Sequence, residues 1–212
     1  MQLELTPEML LQAYRMGVFP MAESREDPRL YWFDPVARGV LPLDGFRLSR
    51  SLRRRIRQEP FRVTLDTDFV GVIAGCAARS STWINAEIRA LFTALHAQGH
   101  AHSIELWEGQ ELVGGVYGLA VGGLFAGESM FSRRRDASKL ALAYLVTHLA
   151  GCGFTLFDTQ YLTDHLASLG GVEIPRATYR ARLTQALQAD ADIHRHPLPS
   201  AQEVLQRNTQ RS

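Results

Sequence analysis

The segment HSIELWEGQELVGGVYGLAVGGLFAGES, residues 102–129, holds three strand-forming stretches separated only by EGQ and VGG. Turns this short join antiparallel neighbours, because a parallel return needs a crossover of about a dozen residues or more. The segment therefore commits the chain to an antiparallel meander, with strands expected at His102–Trp107, Glu111–Ala120 and Gly122–Ser129. Beyond it, a 3.6-residue period through Leu140, Ala143, Tyr144 and Val146 predicts a helix from Ala137 to Ala150, stopped by Gly151 and Gly153. An apolar strand is expected at Phe154–Gln160, followed by helices near Tyr161–Leu169 and Pro175–Leu187. Ahead of the meander, FRVTLD from Phe61 reads as a strand. Helices are expected at Phe69–Ala78 and at Ala86–Ala97, the second capped by Asn85 and ended by Gly99. This order predicts an α+β fold with a mixed sheet flanked by helices. The polar, weakly patterned tail from Asp190 to Ser212 is expected to fray.

A different texture precedes residue 60. Thr6, Pro7 and Glu8 start a helix with an inward stripe of Met9, Leu10, Ala13 and Tyr14, closed by Gly17 and Pro20. From Pro20 to Gly45 the chain is dense in proline, glycine and aromatics, which predicts loops and short strands. Arg47–Pro60 then places Leu48, Leu52 and Ile56 on one helical face and six arginines on the rest. With Pro60 ending that helix, the reading is a small N-terminal α+β domain at 1–60 carrying a basic helix, and a larger domain at 61–212.

Bulk properties narrow the chemistry. A net charge of +1 gives no global attraction to polyanions, so any such partner must meet a local arginine cluster. Cys76 and Cys152 are the two cysteines and make neither a disulfide framework nor a CxxC pair. No apolar run approaches the roughly 20 residues of a membrane span, and no leader pattern opens the chain. A soluble cytoplasmic protein is expected.

Polar residues concentrate at a few places. Asp158 and Gln160 lie two apart on a predicted strand, so they share a face at the end of an apolar approach. They either open onto a pocket or serve structure, Asp158 capping the next helix. Glu128 leaves an apolar strand beside Arg133, Arg134 and Arg135, and a carboxylate there needs a partner. A salt bridge and a binding role both fit, and the arginines can pair internally or meet an anion such as phosphate. Arg47, Arg50, Arg53, Arg54 and Arg57 form a positive ridge suited to phosphates, or a solvated basic face. Tyr31, Trp32 and Phe33 can stack on a base or pack in the core. His100 and His102 alternate on a strand, but no third ligand lies at useful spacing, and no metal is expected. No serine or cysteine has the surroundings of a covalent nucleophile.

The succession of helices, three antiparallel strands, a helix and another strand is similar in topology to the GCN5-related N-acetyltransferases. The motifs YRMGVFPM, YWFDPVARGVLPLDGFRLSRSLRR, TWINAEI, GHAHSIELWEGQELVGGVYGLAVGGLFAGESMFSR, ASKLAL, FDTQ and DHLASLGGVEIPR together closely resemble the leucyl/phenylalanyl-tRNA–protein transferase family from about Leu11 to Leu183. The resemblance implies transfer of leucine or phenylalanine, less well methionine, from Leu-tRNA or Phe-tRNA to proteins with N-terminal Arg or Lys, marking them for degradation in the N-degron pathway. It implies a two-domain monomer, an acetyltransferase-like larger domain, and no metal or organic cofactor. Carried over residue by residue, it gives Asp158 and Gln160 a catalytic role, with Asp158 holding the amine and supporting Gln160. Glu128 would supply negative potential for the acceptor, Val116, Phe125, Leu145 and Leu149 would line the amino-acid pocket, and Trp32 and Trp83 would pack around the 3′ adenosine. Two other classes are weighed against it. An acetyl-CoA-dependent N-acetyltransferase would need a glycine-bearing pyrophosphate loop where this chain has MFSRRRDASK; a noncatalytic RNA-binding module would need only the arginines and aromatics.

Overall fold

The computed structural model describes residues 5–207; Met1–Glu4 and the last five residues of the expected tail lie outside them. The first helix, α1 (Pro7–Arg15), forms as its caps dictate, with the Thr6 side chain accepting from the Met9 amide. The proline-rich stretch resolves into three short strands, β1 (Phe19–Met21), β2 (Tyr31–Phe33) and β3 (Ala37–Val40). The basic helix α2 (Arg50–Arg57) starts at Ser49, whose side chain accepts from the Leu52 amide, so Arg47 precedes it. Then come β4 (Arg62–Leu65), α3 (Phe69–Ala77) and α4 (Ala86–Ala97), the last capped by Asn85 accepting from Ile88.

The meander forms as β5 (Ala101–Glu108), β6 (Glu111–Val121) and β7 (Leu124–Ser132), paired antiparallel. The third strand begins two residues later than expected because Gly122, at φ 53°, belongs to the turn. Next are α5 (Ala137–Gly151), β8 (Leu156–Gln160), α6 (Asp164–Ser168), β9 (Val172–Pro175), α7 (Arg176–Ala186) and α8 (Ala201–Arg207). The expected helix at 161–169 is thus shorter, with Thr163 as its cap. The tail departs from expectation: within the described residues it carries α8, with Ala201 and Val204 buried.

One seven-stranded sheet has the order β4-β5-β6-β7-β8-β3-β9, parallel only at β7–β8, while β1 and β2 form a separate ribbon. β3 sits between β8 and β9, so the chain before residue 60 supplies an inner strand of the main sheet, and the expected division there does not follow a gap in it. The strand tolerates this position because Gly39 has no side chain: a Cβ there would lie 2.6 Å from the Tyr161 carbonyl carbon. Period-two alternation sends neighbouring side chains to opposite layers. Leu124, Ala126 and Leu156 pack toward α1, α3, α4 and α7, whereas Phe125 and Phe157 pack toward α2, α5 and α8. Helix α5 is buried on nearly every side, and Gly114 admits its first turn, since a Cβ there would meet that of Ala137 at 2.6 Å.

Val204 is fully buried against this second layer. Val204→Ala should lower unfolding free energy by about 2 kcal/mol with an unchanged slope in urea, whereas a frayed tail would give no change.

Candidate active site

β7 and β8 are registered for three pairs, Leu124–Leu156, Phe125–Phe157 and Ala126–Asp158. The other edge of β8 pairs with β3, Val40 lying opposite Asp158 and Gly39 opposite Gln160, and runs on past the last β7 pair. A cleft of about 220 Å³ opens where β7 and β8 lose contact. Its apolar wall comes from Phe19, Met21, Trp83, Val116, Leu142, Phe157 and Leu166, and its polar side from Arg79, Glu128, Ser129, Thr159, Gln160 and Tyr161.

One side-chain contact bridges the parting strands and a second, from α1, braces it. The Gln160 Nε2 donates to Glu128 Oε1 at 3.2 Å, and the Tyr14 hydroxyl from α1 donates to the same oxygen at 2.6 Å. Burial pushes the Glu128 carboxyl up to about 8; the Asp158 charge adds to this, while the Tyr14 donation and the Arg38 charge oppose it. Burial, reinforced by Glu128, also lifts the Tyr14 phenol well above its ordinary value, so Tyr14 stays a donor.

Asp158 lies behind this pair and does not line the cleft. Its carboxylate is fully buried against Arg38, with Nε to Oδ1 at 2.8 Å and Nη2 to Oδ2 at 2.6 Å. The Tyr179 hydroxyl donates to Oδ2 at 2.9 Å and the Gln160 amide donates to Oδ1 at 2.9 Å. The Arg38 guanidinium also donates to the Gly17 carbonyl and lies between the Phe19 and Tyr179 rings, 4.5 and 4.3 Å from their centroids. The expected shared face of Asp158 and Gln160 fails for a local reason. Gln160 has φ 58°, and the register shifts between Gly39 and Val40, so Thr159 and Gln160 both reach the cleft while Asp158 turns inward. Sequence reading missed Arg38. The available signal was a lone arginine in the apolar segment ARGVL, where a buried cation requires an acid.

The other expected residues divide. Val116 and Trp83 line the cleft; Phe125, Leu145 and Leu149 are core residues outside its lining. Trp32 is 45% exposed on β2, opposite Pro20, and Met21 of the adjoining strand takes the place at the cleft. Phe19, Leu142 and Phe157 also line it without having been singled out. Arg133, Arg134 and Arg135 do not pair with Glu128. Arg134 binds Glu108 and Glu111, Arg133 donates to the Leu112 carbonyl, and Arg135 lies 3.5 Å from Asp136. On the basic segment Arg47, Arg50, Arg54 and Arg57 are exposed and Arg53 is half-buried. Arg54 and Arg55 share a crevice with Arg135 and Asp136, which brings the two arginine runs together.

Neither cysteine has the surroundings of a reactive thiolate: both are buried, which pushes the Cys76 thiol up to about 12 and raises Cys152 as well. A carboxyl and a carboxamide at the parting of two sheet strands, beside an apolar hollow, suit a transferase that passes an already activated group to a polar acceptor. Residues 40–184 match the leucyl/phenylalanyl-tRNA protein transferase family and residues 4–36 match that family's N-terminal domain. The leucyl/phenylalanyl-tRNA–protein transferase of Roseobacter denitrificans is 58% identical over 99% of this chain and 100% of its own, and that of Ruegeria pomeroyi 59% over the same shares. A solved structure titled "The structure of L-PGS from Bacillus licheniformis" overlaps 85% of this chain and 76% of its own at 14% identity, with a TM-score of 0.48. The chain belongs to the leucyl/phenylalanyl-tRNA protein transferase family, and is an aminoacyltransferase.

Removing one partner of a buried ion pair strands the other charge. Arg38→Ala should therefore cost about 3–5 kcal/mol in urea denaturation. Glu128 makes a second prediction. Its proton is held by the folded chain up to about 8, while the unfolded chain releases it near its ordinary value of 4.5. The group's contribution to stability is full below 4.5 and is lost as pH rises through 8. In Glu128→Gln the fall in unfolding free energy across that window should be shallower by up to about 1.4 kcal/mol per pH unit.

Proposed function

We propose that this chain transfers leucine or phenylalanine, and methionine less well, from aminoacyl-tRNA to the N-terminal arginine or lysine of acceptor proteins. The peptide bond so formed marks the acceptor for degradation in the N-degron pathway. The Glu128–Gln160 contact at the base of the apolar cleft is the observation that carries this reading.

The aminoacyl ester is already activated, so the reaction needs an aligned neutral amine rather than a covalent residue, an organic cofactor or a metal. With its amide N–H engaged by Glu128, Gln160 turns its carbonyl oxygen to the acceptor and takes a hydrogen bond from the attacking amine. The amine nitrogen adds to the ester carbonyl, the carbon–oxygen bond to ribose breaks, and the ribose oxygen leaves with a proton. Glu128 meets the cationic end of the acceptor. A guanidinium or ammonium placed there lowers the carboxyl's pKa and draws out its ionised form. Asp158 acts one step back, as a positioning residue that ties the Gln160 main chain to Arg38, rather than by holding the amine itself. The Leu or Phe side chain occupies the hollow beside Val116, Leu142 and Phe157, and Trp83 packs near the terminal adenosine.

The exposed arginines of α2, with Arg135, hold the acceptor stem through phosphates. In layout, the parting of β7 and β8 beside a buried helix supports an acetyltransferase-like, GCN5-related arrangement. We take the chain to act as a monomer in the cytoplasm, where charged tRNA is made.

Labelled Leu-tRNA supplied with a peptide beginning with Arg, and with one beginning with Ala, tests the reaction. Label should appear on the first alone, and its absence from both would defeat the proposal. Gln160→Ala should lower turnover with little effect on tRNA binding. Charge reversal at Arg50 and Arg54 together should weaken tRNA binding and reduce its salt slope by about two phosphate contacts.

A further inference from the structure

Away from the cleft, at the end of the sheet where β4 meets β5, three ligand-type side chains from distant parts of the chain converge. Asp66 follows β4, His102 lies on β5, and His194 sits in the turn ahead of α8. Their ligand atoms all lie within 4.8 Å of one another. We propose that Asp66, His102 and His194 form a zinc site that pins the C-terminal segment to the sheet.

Both ring nitrogens of His102 face oxygens: Nδ1 lies 2.7 Å from Asp66 Oδ2, and Nε2 lies 3.2 Å from the Gly99 carbonyl oxygen. A neutral imidazole carries one N–H, so both contacts are satisfied together either by a doubly protonated ring or by a cation that takes the place of one proton. The arrangement with Nε2–H on the Gly99 carbonyl leaves Nδ1 free to ligate, which is the usual outer support of a metal-bound histidine. Asp66 is equally well held. Its Oδ1 accepts from the Ser103 amide at 2.8 Å, and its own amide donates to the Ser103 carbonyl at 3.0 Å, which fixes the left-handed backbone at φ 55° and aims Oδ2 outward.

His194 completes the set from the solvent side, its Nε2 3.6 Å from Asp66 Oδ2 and its ring 5.4 Å from that of His102. The turn that carries it is anchored on both sides, by the Asp192 side chain accepting from the His194 amide at 2.9 Å and by the buried Ile193, whose carbonyl meets His148 Nε2 at 2.7 Å. Zinc bonds of about 2.0 Å at tetrahedral angles space ligand atoms about 3.3 Å apart. The Asp66–His194 distance is near that value, and the Asp66–His102 contact needs to widen by about 0.6 Å. Two imidazoles and one carboxylate favour zinc over the oxygen-seeking magnesium and calcium. A fourth position is left to solvent.

None of these residues lines the cleft, so the site joins segments rather than performing chemistry. Calorimetric titration of the full-length, tag-free, chelator-treated chain with zinc chloride should show one ion per chain, and added zinc should raise Tm. Losing an outer support of a metal costs about tenfold or more in affinity, so loss of a ligand in His194→Ala should weaken binding at least that much and remove the rise in Tm. His194 is exposed, and far-UV circular dichroism establishes that the variant folds. His196→Ala, two residues on, should bind as the unaltered chain does. Absence of zinc uptake, or uptake equal in His194→Ala, would overturn the site and leave His102 and Asp66 as a proton-bridged pair.

Discussion

The site depends on the buried contact between Arg38 and Asp158. Neither charge has water to fall back on, so each is tolerated only because the other fills its hydrogen-bonding capacity. Arg38 belongs to the strand between β8 and β9, and Asp158 to the strand that forms one side of the cleft. The pair therefore fixes the neighbouring strand against β8 and at the same time holds the Gln160 amide, in a backbone conformation unusual for a side chain other than glycine. Tyr179 from α7 closes the arrangement from the helix layer that Asp158 faces.

From this foundation the cleft follows by geometry. A parallel pair that ends after three registered residues leaves a gap that the sheet's own hydrogen bonds do not fill. The gap is spanned by a carboxyl, an amide and a phenol. Apolar residues from both core layers border it, which keeps the local dielectric low and gives the Glu128 carboxyl its unusual proton affinity. Charge is thus separated by place: one fixed ion pair behind the cleft, one carboxyl of raised pKa at its base, and exposed arginines of α2 at the surface.

Local signals carried much of the fold. Thr6, Asn85 and Gly99 mark helix ends by chemistry that acts within a few residues, and the meander is dictated by the length of its turns. The misses were elements too short to show a period. β3 and β9 have four residues each and owe their conformation to partners far along the chain, and α8 shows its buried side through little more than Ala201 and Val204. The same limit applies to the site. Glu128 and Gln160 stood out as polar residues ending apolar strands, and Val116 and Trp83 followed from resemblance. Asp158 and Gln160 were given a shared face because strict alternation does not anticipate the positive φ at Gln160. Arg38 looked like one arginine among many until its partner was known.

Strand β3, made early, is completed only by partners made late. Its pairing with β8 and β9 cannot form until residues 156–175 have left the ribosome, which at cellular synthesis rates is a delay on the order of ten seconds. Through that interval a nascent chain has β3 but neither β8, which carries Asp158 and Gln160, nor β9. A ribosome-bound fragment that stops short of residue 160 therefore has neither the buried ion pair nor the contact that spans the cleft.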